Sequence, residues 1–434
     1  MSNFGLEPGI KSEMKSDETK NVQEKKPTLN AIRDHGSESL AQELSPVSAN
    51  EYERAHGEAL ASTLDLATWM PGADLAEMYA RLEAEVVKAV KDEAKHLRQI
   101  REKIFPLLSS RKGAPSCAGI YRVPVEKLER VHADILFNGG VEACDGTVAS
   151  HDTLPVTITQ IGVCLVSYRG DQGSWVHRIF RRDLRTSAAR NPIEETVALL
   201  EKRRKRGAVD QNNSHDGLAE LGRRGIMAYA ERAVLLEKSQ AVWRMGHGNP
   251  TPYELVTGSG MPELLRASLD LMRKMVLEHR HFVFVPSSTK ARDLLTIGNA
   301  LQPLEYAIVD TNEDFLSRIA EGHYRGETWG RLKQDVKDFV RECGPKIIVG
   351  MYRASSLSPA QMFYAHTDYA HEAALIAMAD SVLQEHRGFP MLIDLADGLC
   401  SANFGADTFA ASTQLAYARA GQPFRYLGER RTRN

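Results

Sequence analysis

The alternation of apolar and polar residues in the middle of the chain predicts a β-hairpin. A short apolar segment, residues 141–144, leads into the turn-forming pair Asp145 and Gly146. β-Branched and apolar residues then recur from Val156 to Tyr168, as they do in strands of a sheet. The pattern places the carboxylate of Asp145 at the rim of the first strand. Because Asp-Gly is a common turn signal, a structural turn and a metal-binding carboxylate are both open at this point.

Helix and strand patterns follow one another after this hairpin, which is typical of an α/β protein. We therefore predict a fold of the α/β class, with a mixed sheet flanked by helices. Helices are predicted at residues 193–205, 218–243, 261–279 and from about 291. Strands are predicted at 175–180, 251–260, 281–286, 306–310 and 346–352, and the segment 389–398, which holds Asp394 and Asp397, is interpreted as coming after a late strand.

The N-terminal region differs in composition from the rest. Residues 1–48 are rich in Ser, Glu, Lys and Asn and are predicted to be a disordered tail. Apolar residues follow helical spacing from Asp74 to Leu108, which predicts a long amphipathic helix that covers the core or pairs with another subunit. The predicted organisation is a tail at 1–48, a helical N-terminal region at 49–114 and one α/β domain at 115–434.

Charge and cysteine content exclude several classes of protein. The 55 basic and 57 acidic residues give a net charge of −2, so nucleic-acid binding would depend on local patches such as the basic run at 202–206. The five cysteines lack CxxC spacing, which argues against a zinc site and a disulfide framework. The chain shows no apolar signal core and no run of about 20 apolar residues. A soluble cytoplasmic protein without membrane contact is the expectation.

Few motifs with a known chemistry occur in the chain. It contains no GxxxxGK[ST] phosphate loop, no dinucleotide fingerprint and no GxSxG elbow. The polar cluster at 366–372 is incomplete as a metal site, because helical spacing does not bring its first histidine to the face of the others. The remaining candidates are four carboxylates that a fold could bring together for two-metal phosphodiester hydrolysis: Asp145, Glu231, Asp394 and Asp397.

The order of motifs over residues 74–425 resembles the NurA nucleases, a family with an RNase H-like fold. The resemblance begins with a long helix and Asp145-Gly146-Thr147, and continues with the helix RRGIMAYAERAVLLE. On that helix Glu231 best matches the family's metal-binding glutamate, and Glu237 is the runner-up. The family then has a strand that ends in an aspartate, where this chain has Thr257, and a lysine, for which Lys290 is the counterpart. The family's Gly-Tyr-Pro and Ala-His correspond here to Gly388-Phe389-Pro390 and Ala396-Asp397.

This resemblance implies a metal-dependent DNA nuclease that uses Mn²⁺ or Mg²⁺. It implies that Asp145, Glu231 and Asp397 bind metal, with Asp394 assisting, and that Lys290 contacts substrate phosphate. It also implies a homodimer that receives DNA from a HerA-like hexameric ATPase, in DNA end processing, repair or antiviral defence. The helix from Asp74 to Leu108 is the candidate contact with the second subunit or the ring.

Two alternatives remain at the level of the sequence. The substitutions at Thr257 and Phe389 are also compatible with a catalytically degenerate DNA-binding or scaffold subunit of such a complex. A helical interaction protein with a chance match to the motifs is the third reading, and it requires that Val156 to Tyr168 not form a strand.

Overall fold

The computed structural model describes residues 48–69, 75–182, 191–206, 221–324 and 329–424. The predicted disordered tail lies outside these ranges except for Ser48. No helix in the described ranges combines the length and the apolar composition that a membrane span requires.

The described part of the chain forms one nine-stranded mixed sheet, with strand order β1-β7-β8-β9-β6-β5-β2-β3-β4. The strands are β1 (Gly119–Arg122), β2 (Val141–Asp152), β3 (Thr157–Ser167), β4 (Gly170–Arg181), β5 (Trp243–His247), β6 (Phe282–Val285), β7 (Glu305–Thr311), β8 (Ile347–Arg353) and β9 (Gln361–His366). The central strands β2, β5 and β6 are parallel, and all other neighbours are antiparallel. The predicted mixed sheet flanked by helices is confirmed.

Helices cover both faces of this sheet. The α-helices of the described ranges are α1 (Ala49–His56), α2 (Leu60–Leu64), α3 (Ala76–Lys103), α4 (Phe105–Ser110), α5 (Val125–Val131), α6 (Pro192–Arg206), α7 (Ile226–Glu237), α8 (Tyr253–Val256), α9 (Pro262–Arg273), α10 (Arg292–Asn299), α11 (Glu313–Gly322), α12 (Gly330–Cys343), α13 (Ala370–Val382), α14 (Met391–Phe404) and α15 (Ala406–Arg419). Single turns of π-helix precede α7 at Leu221–Gly225 and follow α9 at Lys274–His279.

The sheet separates two apolar cores. Successive side chains of a strand point to opposite faces, so neighbouring apolar residues of β6 enter different cores. Phe284 packs with Leu265 of α9 and Phe339 of α12. Val283 packs in the second core with Leu392 of α14. Burial on both faces explains why β6 reads as a continuous apolar run rather than an alternating one.

The predicted hairpin is present, but its turn lies farther along the chain than predicted. Strand β2 continues to Asp152, so Asp145 lies within the strand and not at its rim. Strands β2 and β3 pair antiparallel from Ala143 with Val166 to Asp152 with Thr157. The strand predicted at Val156 to Tyr168 is therefore confirmed as β3, and the interpretation as a wholly helical protein is wrong.

Three local predictions are wrong. The segment predicted as a strand at 251–260 forms helix α8, because Pro252 caps a helical turn that Gly258, with φ of +58°, then ends. The predicted helix at 218–243 ends as α7 at Glu237, and its last residue opens β5 instead. Asp394 and Asp397 lie on helix α14, and not in a segment after a late strand.

The long N-terminal helix is present in two pieces. Helix α3 ends at Lys103 and α4 begins at Phe105, with Pro106 at the start of its first turn. Proline lacks the N–H that a continuous helix needs at this position, which explains the break.

Candidate metal-dependent active site

Asp145 and His247 lie side by side on parallel strands. The register pairs Val141 with Trp243 and Cys144 with Gly246, so Asp145 follows the last pair beside His247, the last residue of β5. Equivalent positions on parallel neighbours point to the same face, and His247 Nδ1 lies 3.5 Å from Asp145 Oδ2. The other oxygen, Oδ1, accepts a hydrogen bond of 2.9 Å from the Gly146 N–H.

Glu231 reaches the same place from helix α7. Cys144 donates a weak hydrogen bond to the Glu231 carbonyl, which fixes α7 against β2. A Cβ atom on Gly146 would lie 2.7 Å from Glu231 Oε1, so only glycine leaves room for this carboxylate over the strand. The Asp-Gly pair therefore serves the site in two ways, since Asp145 supplies a carboxylate and Gly146 admits another.

The neighbouring Arg232 holds these pieces together. Its side chain is buried, and its Nη1 donates to Glu231 Oε2 at 2.7 Å and to the Ala228 carbonyl. Its Nη2 donates to the Asn249 carbonyl at 2.6 Å and to the His247 carbonyl at 3.4 Å. One guanidinium thus ties α7 to the end of β5 and keeps Oε2 of Glu231 in place.

Helix α14 contributes the third carboxylate. Asp397 lies on its exposed side and lines the cavity that holds Asp145, Glu231 and His247. Asp394, one turn earlier, also lines the cavity, but its carboxylate is paired with Arg387 and accepts from Gln384 Nε2 at 2.6 Å. Asp394 is therefore neutralised by a salt bridge, whereas the ion-pair partner of Asp145 is the imidazole of His247.

These side chains surround an open cavity of about 730 Å³. Besides the carboxylates and His247, its lining includes His386, Arg387, Gln361, Ser287 and Phe389. The cavity lies where β5 ends while β2 continues with β3, so the strands part at the carboxyl end of their parallel pairing. Such crevices are common ligand sites in open α/β sheets.

Two carboxylates of the site have raised pKa values. Burial and the charge of Asp145 raise the pKa of Glu231, although Arg232 and His247 act in the opposite direction. Burial, then the charges of Asp145 and Asp394, raises the pKa of Asp397. Burial alone would lower the pKa of His247, but its hydrogen bond to Asp145 and the charges of Asp145 and Glu231 raise it overall. The negative charge of Asp145 therefore disfavours ionisation of Glu231 and Asp397 and favours the protonated imidazole of His247.

The donor set fits a divalent cation in chemistry and charge. Asp145 Oδ2, Glu231 Oε1 and the Asp397 carboxylate are oxygen ligands of the kind that Mg²⁺ and Mn²⁺ take. A dication would also lower the repulsion between these carboxylates. With the side chains where they are, no group of three His, Cys, Asp or Glu residues among the described residues could hold a metal ion, so cation binding would require the carboxylates to move closer together.

The structure leaves several sequence-predicted residues outside the cavity. Thr257 is buried after helix α8, where its hydroxyl donates to the Tyr253 carbonyl at 2.8 Å. Lys290 is exposed on the loop after β6, and Glu237 is exposed at the end of α7. Neither residue lines the cavity described above.

The polar cluster at 366–372 does not converge either. His366 is buried and accepts from the Asp368 N–H, while His371 Nδ1 bonds to the Tyr306 hydroxyl at 2.8 Å. Asp368 is exposed. The side chains of this cluster therefore stabilise local structure and do not form one site.

Sequence reasoning missed His247 and Arg387. The signal for His247 was the short segment WRMGH followed by Gly248, Asn249 and Pro250, a strand that ends in turn residues. Gly248 has φ of +81°, which glycine adopts without strain. The predicted helix ends at Trp243, the first residue of this segment, and no strand is predicted for the four residues that follow.

No protein-family model and no curated protein match this chain. Solved structures of NurA nucleases are similar to it. The NurA nuclease from Sulfolobus solfataricus aligns at 8% identity with a TM-score of 0.43, over 80% of this chain and 98% of that one. A NurA structure with manganese aligns at 9% identity with a TM-score of 0.33, over 72% and 97% of the two chains. NurA bound to dAMP and manganese aligns at 8% identity with a TM-score of 0.32, over 76% and 93%. Because these TM-scores lie below 0.5, the residues of this chain have to carry any assignment themselves.

Proposed function

We propose that this protein is a divalent-metal-dependent deoxyribonuclease that hydrolyses phosphodiester bonds. The observation that carries the proposal is that three carboxylates from a strand and two helices, Asp145, Glu231 and Asp397, line one cavity. Carboxylate oxygens that line one cavity suit hard cations. The motif resemblance to NurA nucleases points to the same chemistry.

The residues have distinct roles in this proposal. Asp145 would hold the cation through Oδ2, which faces His247, and Glu231 through Oε1, which the bond from Arg232 to Oε2 leaves available. Asp397, on helix α14, would supply the third carboxylate. Mn²⁺ or Mg²⁺ at these donors supplies Lewis acidity that activates water and offsets charge on the phosphate. No covalent enzyme intermediate is required.

The substrate would enter from the side of the cavity that carries nitrogen donors. Arg387 and His386 lie at its mouth with exposed side chains, and a guanidinium is well suited to phosphate oxygens. Lys290, on a nearby stretch of exposed loop, would contact the backbone of DNA farther from the reacting phosphate. The partners that we propose are DNA, a second copy of the chain and a HerA-like hexameric ATPase, for end processing, repair or antiviral defence in the cytoplasm.

A second candidate function is a non-catalytic DNA-binding or scaffold subunit of the same kind of complex. The observation in its favour is the pairing of Asp394 with Arg387, which leaves the cavity with fewer carboxylates for metal. In this case the cavity would bind no Mn²⁺ at millimolar concentration.

The test compares cleavage of linear DNA in Mn²⁺ by the protein and two variants, with and without the ring ATPase. Asp145→Asn should lower the rate by more than about 100-fold, since even residues behind metal ligands cost 10- to 100-fold. Asp152→Asn is the matched control. It removes a carboxylate from the far end of the same strand, where Asp152 accepts from Thr157 and does not line the cavity.

Equal rates for Asp145→Asn and the unmodified protein would contradict the assignment. Metal binding measured by calorimetry separates the two candidates, since the scaffold would show neither binding nor cleavage.

A further inference from the structure

Cys164 and Cys400 form a pair of thiols next to the carboxylates of the site. Cys164 lies on β3 directly opposite Asp145 of β2 in the antiparallel register, so the two side chains point to the same face of the sheet. Cys400 lies on α14 three residues after Asp397, and residues at this spacing are neighbours on a helix surface. The thiol pair therefore joins α14 to the hairpin that carries Asp145.

Contacts near the pair hold β3 and α14 together. Gly162 lies two residues before Cys164 on the same face of β3, and a Cβ atom there would lie 2.3 Å from the Phe404 ring. Gln160, also on this face, donates from its Nε2 to the Phe404 carbonyl at 2.9 Å. Because Phe404 lies one helical turn after Cys400, the helix face that packs on β3 brings the two thiols together.

The side chains of the pair are buried and close to each other. Neither cysteine is exposed to solvent, and their thiols lie within hydrogen-bond reach of each other. Cys164 Sγ also lies 3.1 Å from Ser174 Oγ on β4, which accepts from Asn403 Nδ2 of α14 at 3.4 Å. The sulfur atoms of a disulfide are about 2 Å apart, so side-chain rotation and a small shift are enough to join thiols that are already neighbours.

We propose that Cys164 and Cys400 form a reversible disulfide and that this disulfide lowers the affinity of the neighbouring carboxylates for a divalent cation. Hydrogen peroxide is the oxidant, and it is small enough to reach the pair through a local opening beside the cavity that Asp145 and Asp397 line.

The reaction is balanced by one molecule of peroxide. One thiolate attacks a peroxide oxygen, which breaks the O–O bond, releases water and leaves a sulfenic acid. The second thiol attacks the sulfenic sulfur and displaces its hydroxyl group as a second water. The two thiols lose two protons and two electrons, and the peroxide becomes two molecules of water. A dithiol reductant reverses the reaction by thiol–disulfide exchange.

The effect on the cation rests on the proposed nuclease function. Asp145, Glu231 and Asp397 have to move closer together before they share an ion. A disulfide fixes the spacing between β3 and the turn of α14 that follows Asp397, which hinders this approach. Changes in the groups that support metal ligands typically cost 10- to 100-fold in metal affinity.

The first experiment maps the disulfide in the full-length protein. Reduced protein is treated with hydrogen peroxide, digested without reductant and analysed by mass spectrometry. The unmodified protein should yield peptides linked through Cys164 and Cys400, and dithiothreitol should separate them. Cys400→Ala should abolish the link. Cys117→Ala is the matched control, because Cys117 is the only one of the five cysteines that is not buried, and its loss should leave the link unchanged.

Calorimetry with Mn²⁺ as the probe supplies the second readout. Oxidation should lower the Mn²⁺ affinity of the unmodified protein and of Cys117→Ala by about tenfold or more, and should leave that of Cys400→Ala unchanged. Circular dichroism establishes that each variant is folded, and Cys164→Ala takes the place of Cys400→Ala if that variant does not fold.

The outcomes separate this inference from the proposed function. Absence of the linked peptides after oxidation would overturn the disulfide. A disulfide that forms without a change in Mn²⁺ affinity, or an equal loss of affinity in Cys400→Ala, would overturn its control of the site and leave the nuclease assignment intact. A reduced protein that forms the disulfide but binds no Mn²⁺ would overturn the nuclease function and the effect on the cation, and would support the disulfide alone.

Discussion

The buried carboxylate of Asp380 connects the site helix to the rest of the core. It lies on α13 and accepts from the Leu392 N–H in the first turn of α14 at 2.9 Å, and from the Tyr168 hydroxyl. An acceptor at a helix N-terminus satisfies a backbone N–H that has no partner within the helix. Asp380 thus fixes the start of the helix that carries Asp397.

Burial of Asp380 predicts a pH-dependent stability. Burial raises the pKa of Asp380 from 3.8 to about 6, although its hydrogen bonds from Tyr168 and Leu392 act in the opposite direction. Between these values the folded protein binds more protons than the unfolded chain, so the free energy of unfolding falls as pH rises through this window. The decrease amounts to about 3 kcal/mol by the linkage relation and ends above about pH 6.

The measurement is urea unfolding from pH 4 to pH 7 of the unmodified protein and of Asp380→Asn. Other groups titrate in this range, so the difference between the two proteins isolates Asp380. The asparagine variant keeps an acceptor but has no proton to lose, and its stability relative to the unmodified protein should rise as pH rises. A difference that is independent of pH would contradict the prediction.

At the residue scale, the sequence identified Asp145 as a candidate site residue but not all the side chains that line the cavity with it. Asp145 was found because strand alternation and the Asp-Gly pair coincide there. The resemblance suggested a carboxylate at a strand end near 257 and an imidazole near 397. The structure has a helix before Thr257, whereas the strand that ends beside Asp145 is β5, which carries His247. A motif read in linear order does not reveal which side chains a fold brings to one cavity.

At the element scale, packing between β3 and α14 sets the position of Asp397. A Cβ atom at Gly162 of β3 would lie 2.3 Å from the Phe404 ring at the end of α14. Gly162→Ala should therefore destabilise the protein by about 1–3 kcal/mol, because the ring has to move out of a filled space. It should also lower Mn²⁺-dependent cleavage, since the helix that carries Asp397 shifts.

Gly398 on the same helix is the matched control with the opposite sign. A Cβ atom there meets nothing within 4 Å. Gly398→Ala should stabilise the protein by about 0.5–1 kcal/mol through helix propensity. Urea unfolding midpoints measure both effects, and a Gly162→Ala variant as stable as Gly398→Ala would contradict the packing argument.

Element prediction succeeded where an apolar run coincides with burial on both faces of a strand. The runs of β3 and β6 were both recognised, and these strands are buried along most or all of their length. The five residues of β5 were missed because a short strand has no periodicity of its own, and its place between two parallel strands decides its conformation. Val256 and Thr257 are β-branched and favour a strand, but residues 253–256 form helix α8 directly after Pro252.

At the scale of the whole molecule, the hydrogen bonds that tie helix α3 to the sheet, among the described residues, come from its C-terminal end. Arg101 forms two hydrogen bonds to the Glu305 carboxylate, of 2.7 and 3.1 Å, and Arg111 pairs with Asp310 at 2.6 Å. These contacts hold the C-terminal part against β7. Helix α3 spans 28 residues, about 42 Å, and none of them is buried. Its N-terminal half therefore extends along solvent in the single chain.

That N-terminal half carries an apolar stripe at four-residue spacing. Met78, Leu82, Val86 and Val90 are each between 47% and 58% exposed. Such spacing is typical of a helix face that packs against another helix. We expect the purified protein to be a dimer through α3, and Leu82→Lys together with Val86→Lys should halve its mass to the 48.2 kDa of one chain.

Sedimentation equilibrium measures that mass, and the control places the same two charges elsewhere on the helix. Ala80→Lys with Ala84→Lys adds two lysines on the opposite, exposed face, and should leave the dimer intact.

The same variants show whether the stripe packs against a second copy of the chain or against the ring ATPase. If the unmodified protein is a monomer, and the ATPase stimulates DNA cleavage by it but not by the stripe variant, the stripe binds the ring. If the unmodified protein is a monomer, and the stripe variant matches it in mass and in cleavage with the ATPase, then α3 contacts neither a second copy nor the ring.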